Sequence, residues 1–150
     1  MKVLNPILSG VAGEYLVAGE LSRRGYIASI TLRNSKGVDI LASNENASKT
    51  VGIQVKTNQR TEKGWLLNKK AEHYVSSNLF YILVNLNNGT KPDFFIVPSK
   101  VIATQIKIGH KKWLKILNRK GKKHKDTPMR KFRDSGNKYL NRWDLLGLDK

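Results

Sequence analysis

The chain begins with a segment in which apolar side chains recur at the spacing of a helix. Asn5 suits the N-cap, Pro6 the first helical position and Gly25 the C-terminal stop. At a period of about 3.6 residues, Glu14 falls within the apolar face and Glu20 on the opposite side. The pattern predicts an amphipathic helix whose core-facing side chains are Ile7, Leu8, Val11, Ala12, Tyr15, Ala18 and Leu21.

Shorter apolar runs follow, and their lengths are typical of strands rather than helices. Three of them, at 26–33, 38–43 and 51–57, are separated by polar turns and predict an antiparallel meander. The segment "TNQRTEKG" is interpreted as a mobile loop, and Asn68 as the cap of a short helix. Two further strands are predicted at 79–86 and 94–98, the first with both faces covered. A last helix is predicted from its capping residue, Ser99, to about Lys107.

The predicted order is therefore α-β-β-β-α-β-β-α, an α/β arrangement with a mixed sheet and helices packed against it. A chain of 150 residues that is 39% hydrophobic is large enough for one domain with a real core. It has no cysteine, and no apolar run approaches the length of a bilayer span. The opening "MKVLNPILSG" has too short an apolar stretch for a signal peptide. We expect a cytoplasmic protein without a membrane partner.

The net charge of +17 is large, and it is concentrated in the second half of the chain. Residues 107–133 contain twelve Lys or Arg and one acid, Asp126. Such a field attracts polyanions, nucleic acid first and anionic membrane second. We predict a core at 1–106 and a basic, partly helical extension at 107–150 that packs on the same domain. The predicted nucleic-acid-binding residues are Lys111, Lys112, Lys115, Arg119, Lys120, Lys122, Lys123 and Lys125.

Four polar side chains occupy positions where apolar ones would be expected. Alternation along a strand places Gln54 and Lys56 on one face, and Asp39 lies on the neighbouring strand. With Glu14 on the covering helix, all four are predicted to converge. Carboxylate and amide oxygens are ligands that Mg²⁺ accepts, and a nearby lysine can orient a water and stabilise charge on a phosphoryl group. These are the groups that phosphodiester hydrolysis requires.

This pattern resembles the PD-(D/E)XK nuclease superfamily, which includes restriction endonucleases and archaeal Holliday-junction resolvases. The matching segments are "GE" at 13–14, "GVDILA" around Asp39 and "IQVK" at 53–56. The resemblance implies a restriction-endonuclease-like α-β-β-β-α-β core and an Mg²⁺-dependent DNA endonuclease, with Mn²⁺ as an alternative metal. It implies that Asp39, Gln54 and the carbonyl of Val55 bind the metal, that Lys56 handles the water and that Glu14 supports the site. Members that cut both strands are often dimers, which leaves a homodimer open.

Gln54 departs from the superfamily pattern, in which this position carries an acid. Its amide oxygen can coordinate a cation but brings no charge, so Asp39 and Glu14 offer two negative charges instead of three. Weaker metal binding is expected. Two alternatives stay open: a nucleic-acid-binding protein that keeps the fold without the chemistry, and a basic RNA-associated protein in which the polar cluster is incidental. For Trp65 and Trp113, core packing is the default and base stacking the alternative.

Overall fold

The computed structural model describes residues 2–32 and 35–149, which form two α-helices, three short 3-10 helices and seven strands. Arg33 and Asn34, at the end of the first predicted strand and the start of its turn, lie outside the described residues. The elements in chain order are α1 (Pro6–Arg23), β1 (Ile27–Ile30), β2 (Ile40–Ser43), β3 (Thr50–Asn58), β4 (Gly64–Asn68), β5 (Leu79–Asn85), β6 (Asp93–Pro98), α2 (Ser99–Lys115) and β7 (Met129–Arg133).

Five strands form one mixed sheet in the order β1-β2-β3-β5-β6. The first three pair antiparallel, which confirms the predicted meander. β3 and β5 run parallel, and β6 returns antiparallel to β5. Every residue of β5 is buried, as its continuous apolar sequence predicts for a strand covered on both faces. The predicted mixed sheet with flanking helices is confirmed.

The sheet separates two apolar layers, and alternation along β3 and β5 decides which side chain enters which layer. Ile53, Val55 and Ile82 pack beneath α1, together with Val17 and Leu21 of that helix. The layer on the other face is built on α2 and includes Tyr81, Leu83, Phe95, Ile102 and Ile106. Gln54 and Lys56 alternate with Ile53 and Val55, so they lie on the face away from α1.

α1 has the predicted ends but not the predicted buried face. Asn5 Oδ1 accepts a hydrogen bond from Leu8 N at 2.9 Å, and Gly25 adopts a φ of +86° just after the helix. The buried stripe consists of Ser9, Gly13, Val17 and Leu21. The prediction that Ile7, Leu8 and Tyr15 face the core is wrong, since all three are exposed. The reason is a close approach: any side chain at Gly13 would collide with Thr57 of β3, so small residues select the contacting face.

A second sheet of two strands, β4 and β7, was not predicted. The presumed loop at 57–64 ends in β4, and β7 lies inside the basic segment. The two pair antiparallel from Gly64↔Arg133 to Asn68↔Met129. Trp65 of β4 is buried and its Nε1 donates to Val84 O at 3.1 Å, which confirms core packing for this tryptophan.

The short predicted helix after Asn68 is a 3-10 helix of four residues, Lys69–Glu72, and Asn68 caps it by accepting from Lys70 N at 3.0 Å. α2 begins at Ser99 but continues eight residues past Lys107, to Lys115. The predicted capping role of Ser99 is wrong, because its hydroxyl bonds the backbone of Ser76 instead. The predicted boundary between the core at 1–106 and the extension at 107–150 thus falls within a continuous helix. The division of the chain at this point stays a prediction.

The C-terminal segment docks on the core, as its apolar residues predict, although only Trp143–Leu146 is helical, as one 3-10 turn. Tyr139, Trp143, Leu146 and Leu148 are buried. The backbone joins the large sheet at its β6 edge, where Ile96 N donates to Tyr139 O at 2.9 Å. In the described part of the chain, no helix is long and apolar enough to cross a membrane.

Candidate active site

Gln54 and Lys56 open into a cleft beside the middle strand of the sheet. We call this cavity of about 640 Å³ the Gln54 cleft. Its floor is the sheet face that carries Gln54, Lys56 and Tyr81, and its walls come from two chain segments that the sequence alone does not bring together. The wall residues are Lys36, Gly37, Leu67, Asn68, Lys70, Ala71, His73 and Tyr74.

Asp39 is fixed against β3 by two hydrogen bonds. Its backbone N–H donates to Ile53 O at 2.8 Å, and its carboxylate Oδ2 accepts from Val55 N at 2.7 Å. This pairing places Asp39 directly opposite Gln54, on the same face of the sheet. The second carboxylate oxygen, Oδ1, accepts no hydrogen bond from any described residue. One oxygen therefore orients the side chain and the other is available to a ligand.

The turn before Asp39 depends on Gly37. This residue has a φ of +73°, and a Cβ here would lie 2.5 Å from the ring of Tyr74. A side chain would therefore be strained in the backbone and would also collide with the cleft wall. Because residue 37 is glycine, Tyr74 can pack over the turn. The turn places Asp39 at the edge of β3.

The backbone N–H and C=O groups of Val55 point toward β2, where the carboxylate of Asp39 lies. In a strand, the N–H and C=O of one residue point to the same side. Since the Val55 N–H reaches Asp39, its carbonyl also faces the β2 side, beyond the last β2–β3 pair at Ile40↔Ile53. Asp39, Gln54 and Val55 thus offer carboxylate, amide and carbonyl oxygens around one end of β2.

Tyr81 also lines this cleft, and sequence reasoning did not single it out within the predicted strand at 79–86. It pairs with Gln54 across β3 and β5 and is 1% exposed. Burial, with smaller contributions from nearby Tyr74 and Asp39, raises the pKa of Tyr81 to about 12. The phenol is therefore neutral at physiological pH. Only the strand register reveals its position, and register depends on contacts far apart in sequence.

Lys56 lies where two clefts meet. It lines the Gln54 cleft and also a second cavity of about 560 Å³, which we call the Arg60 cleft. The Arg60 cleft is bounded by Pro6 and Ser9 of α1, by 57–60 and by the β4–β7 sheet. The amine is half-buried and can reach a group bound in either space.

Glu14 comes from the other side of the sheet. It is half-buried on α1, one position after Gly13, whose contact with Thr57 brings this turn of the helix to the end of β3. Glu14 lines neither of the two clefts described above. The structure thus brings Asp39, Gln54 and Lys56 to one face, and the supporting role of Glu14 stays a prediction.

Among the described residues, no three Asp, Glu, His or Cys side chains gather as a metal-binding group. This agrees with Gln54 standing at a position where the superfamily pattern has an acid. The available donor set is all oxygen, with one charge from Asp39, one amide and one backbone carbonyl. Oxygen donors of this kind fit Mg²⁺ or Mn²⁺ chemically, with less charge than three carboxylates would give.

The eight cations predicted to bind nucleic acid are all exposed, on the last turns of α2 and on a hairpin that follows it. In the hairpin, Leu117 bridges to Lys123 and Asn118 N donates to Lys122 O at 2.8 Å. Asn118 Oδ1 accepts from the N–H groups of Lys120 and Lys122, and Gly121 turns the chain with a φ of +72°. The basic loop is therefore an ordered turn that presents Arg119, Lys120 and Lys122 at its tip.

Trp113 is 37% exposed and does not pack in the core, so the default interpretation is wrong for this residue. It stacks between two imidazoles, with ring centroids 4.0 Å from His124 and 5.5 Å from His110. His110 Nε2 lies 2.7 Å from Asp126 Oδ1, and this hydrogen bond lowers the pKa of Asp126. The stack and the hydrogen bond hold the segment after the hairpin against α2.

Gln59 is not available to a phosphate. Its amide nitrogen donates to Leu4 O at 2.7 Å and its amide oxygen accepts from Leu4 N at 2.8 Å. The side chain therefore fastens the segment before α1 to the end of β3.

No family model and no curated protein sequence matches this chain. Its structure is similar to that of the bacterial homing endonuclease I-Ssp6803I, with a TM-score of 0.58 and 12% identity over 97% of this chain and 94% of that one. A Holliday junction resolvase, Hjc from Archaeoglobus fulgidus, also matches, with a TM-score of 0.49 and 15% identity over 84% of each chain. The likeness to the homing endonuclease confirms the predicted restriction-endonuclease-like fold.

Proposed function

We propose that this protein is a divalent-metal-dependent DNA endonuclease that hydrolyses phosphodiester bonds in the Gln54 cleft. The observation that carries the proposal is that Asp39, held to Val55 N at 2.7 Å, lies opposite Gln54 in the strand register, beside the cleft that Gln54 and Lys56 line. The fold shared with a homing endonuclease supports the same reading. A fold hosts many functions, so the weight rests on the site.

Asp39 Oδ1, the amide oxygen of Gln54 and the carbonyl of Val55 are the groups that would hold Mg²⁺ or Mn²⁺. When bound, such a cation supplies an acidified water and neutralises charge on the scissile phosphate. The hydrogen bond from Val55 N fixes the rotamer of Asp39, so no ordering of this carboxylate is needed when a ligand arrives. Neutral Tyr81 adds no negative charge beside it.

We assign to Lys56 the role of direct contact with the reacting groups. Its ammonium group can donate to the attacking water or to a non-bridging phosphate oxygen, where negative charge develops during the reaction. Its position between the two clefts allows contact with a strand that passes from one to the other. Glu14 is assigned a positioning role at the end of β3, through the turn of α1 that touches Thr57. The eight exposed cations of α2 and the hairpin would hold the DNA.

Cleavage of DNA by purified variants tests this assignment. Lys56→Ala and Asp39→Ala should each lower the rate of Mg²⁺- or Mn²⁺-dependent cleavage by about 10²-fold or more, because each removes a group that acts on the transition state. Folding and DNA affinity should remain nearly unchanged. The assay uses plasmid, branched DNA and RNA, with EDTA as the metal-free control. If both variants cut like the wild type, the site is wrongly assigned.

A second function is favoured by one specific observation, the uncharged Gln54 in a site without three acidic ligands. On this view, the protein binds nucleic acid and keeps the nuclease fold without its chemistry. It would then show salt-sensitive DNA binding through its +17 charge and no cleavage by the wild type with either metal.

A further inference from the structure

The outer face of the β4–β7 sheet carries two cations that do not line the Gln54 cleft. Lys131 and Arg133 are two residues apart on β7, so both side chains point outward, and both are exposed. Arg133 pairs with Gly64 on β4, and a Cβ at Gly64 would lie 2.6 Å from Lys131 Cε and 3.8 Å from Arg133 Cγ. The bare backbone of Gly64 therefore seats both side chains over one spot.

These two cations have no acidic partner in the part of the chain that the structure describes. Within the described residues, neither Lys131 nor Arg133 has a carboxylate oxygen within 4.0 Å of its charged nitrogens. Glu62 lines the Arg60 cleft together with Lys131 but makes no ion pair with it. By contrast, the neighbouring Arg130 points inward and is paired with Glu72 at 2.6 Å. Two like charges on one face of a short strand, with no carboxylate beside them among the described residues, repel each other, and a bound anion would relieve that repulsion.

Lys131 lies where two cavities adjoin. Lys131 lines the Arg60 cleft, which contains Lys56, and it lines a groove of about 570 Å³ between α2 and β7. Arg133, Trp113 and His110 line the same groove, and Trp113 stacks on His124, which follows the hairpin. Lys56, Lys131 and Arg133 therefore line adjoining cavities that extend from the end of β3 to the groove beside α2.

We propose that Lys131 and Arg133, seated over Gly64, bind two phosphates of the DNA strand that enters the cleft of Lys56, and that they guide this strand toward the basic hairpin. The inference rests on the proposed function, because the anion is taken to be the backbone of the substrate. Charge and position favour a polyanion, since an isolated phosphate would not need the long surface on both sides of the pair.

Salt dependence of DNA binding tests the pair in the absence of metal, where cleavage plays no part. In the double variant Lys131→Gln/Arg133→Gln, the plot of log affinity against log salt should become shallower. The magnitude of its negative slope should fall by about 1.8, since each lost phosphate contact removes about 0.9. The matched control is Lys49→Gln/Lys91→Gln, which removes the same charge from exposed turns lining none of the three cavities. Binding of a labelled duplex is followed by fluorescence anisotropy in EDTA.

A third variant distinguishes the effect of the position of the Lys131 side chain from the effect of its charge. Gly64→Ala keeps every cation but pushes the Lys131 side chain aside, so it should weaken binding severalfold. If the double variant and the control have equal slopes while the wild type binds DNA, the phosphate pair is wrong and the nuclease proposal is untouched. If the wild type shows no salt-dependent DNA binding, the proposed function itself fails. In cleavage assays, the double variant should raise KM and leave kcat near the wild-type value.

Discussion

At the scale of single residues, the affinity of the site for a metal depends on how well the amide of Gln54 replaces a carboxylate. Asp39 is oriented by Val55 N, and Gln54 lies opposite it on β3. An amide oxygen coordinates a hard cation but contributes no net charge, so electrostatic attraction for Mg²⁺ is reduced. The half-buried surroundings increase the effect of each missing charge, because screening by water is incomplete.

Gln54→Glu measures this effect directly. The added carboxylate should tighten Mn²⁺ binding by about tenfold or more, equivalent to about 1.4 kcal/mol, since a second charge then faces the cation. The measurement is a calorimetric Mn²⁺ titration, with Gln105→Glu as a control at an exposed position on α2. Equal affinities in the wild type and Gln54→Glu would place the metal elsewhere. Cleavage that appears only in Gln54→Glu would favour the binding protein over the nuclease.

At the scale of elements, the unpredicted β4–β7 sheet forms the walls of both clefts. Arg130 of β7 ties this sheet to the 3-10 helix that lines the Gln54 cleft. Its Nε donates to Glu72 Oε1 at 2.6 Å, and its Nη1 donates to the carbonyls of Thr127 and Met129. Arg130 is 8% exposed, so solvent screens this ion pair little. The shape of the cleft therefore depends on one buried arginine.

Arg130→Met should lower the free energy of unfolding by about 3 kcal/mol, because it leaves the mostly buried carboxylate of Glu72 without its partner. The double variant Arg130→Met/Glu72→Leu should recover much of that loss, since it removes the stranded charge. Urea denaturation gives the values. Arg142→Met is the control: Arg142 is 46% exposed and pairs with Asp144, and its removal should cost little stability because water screens this pair. A loss in Arg130→Met no larger than in the control would contradict a structural role for the pair.

The sequence predicts the parts of the fold that depend on local pattern. The meander from β1 to β3 is formed by neighbouring segments, so alternation and turn residues suffice to place Asp39, Gln54 and Lys56 together. β4 and β7 escaped prediction because they pair across more than sixty residues and because the cations of "MRKFR" mask its alternation. α1 has apolar residues around most of its circumference, so periodicity could not identify the face that Gly13 selects.

At the scale of the whole molecule, charge and cleft lie on the same side of the sheet. Of the net +17, the residues 76–150 contribute +12, and these residues include α2, the hairpin and β7. α2 and β7 pack on the face that carries Gln54 and Lys56, and the hairpin follows α2, whereas α1 covers the opposite face. A polyanion drawn to the positive surface is therefore delivered to the cleft rather than to the far side of the protein.

The central claim is that Asp39, Gln54 and Val55 hold a divalent cation beside Lys56. Paramagnetic Mn²⁺, added in small amounts to the labelled protein, broadens the NMR signals of amides near its binding site. We predict that the amides of 39 and 54–56 broaden first, and that Asp39→Ala abolishes this selective broadening while the rest of the spectrum is preserved. Broadening that begins at another part of the chain, or that is unchanged in Asp39→Ala, would contradict the account.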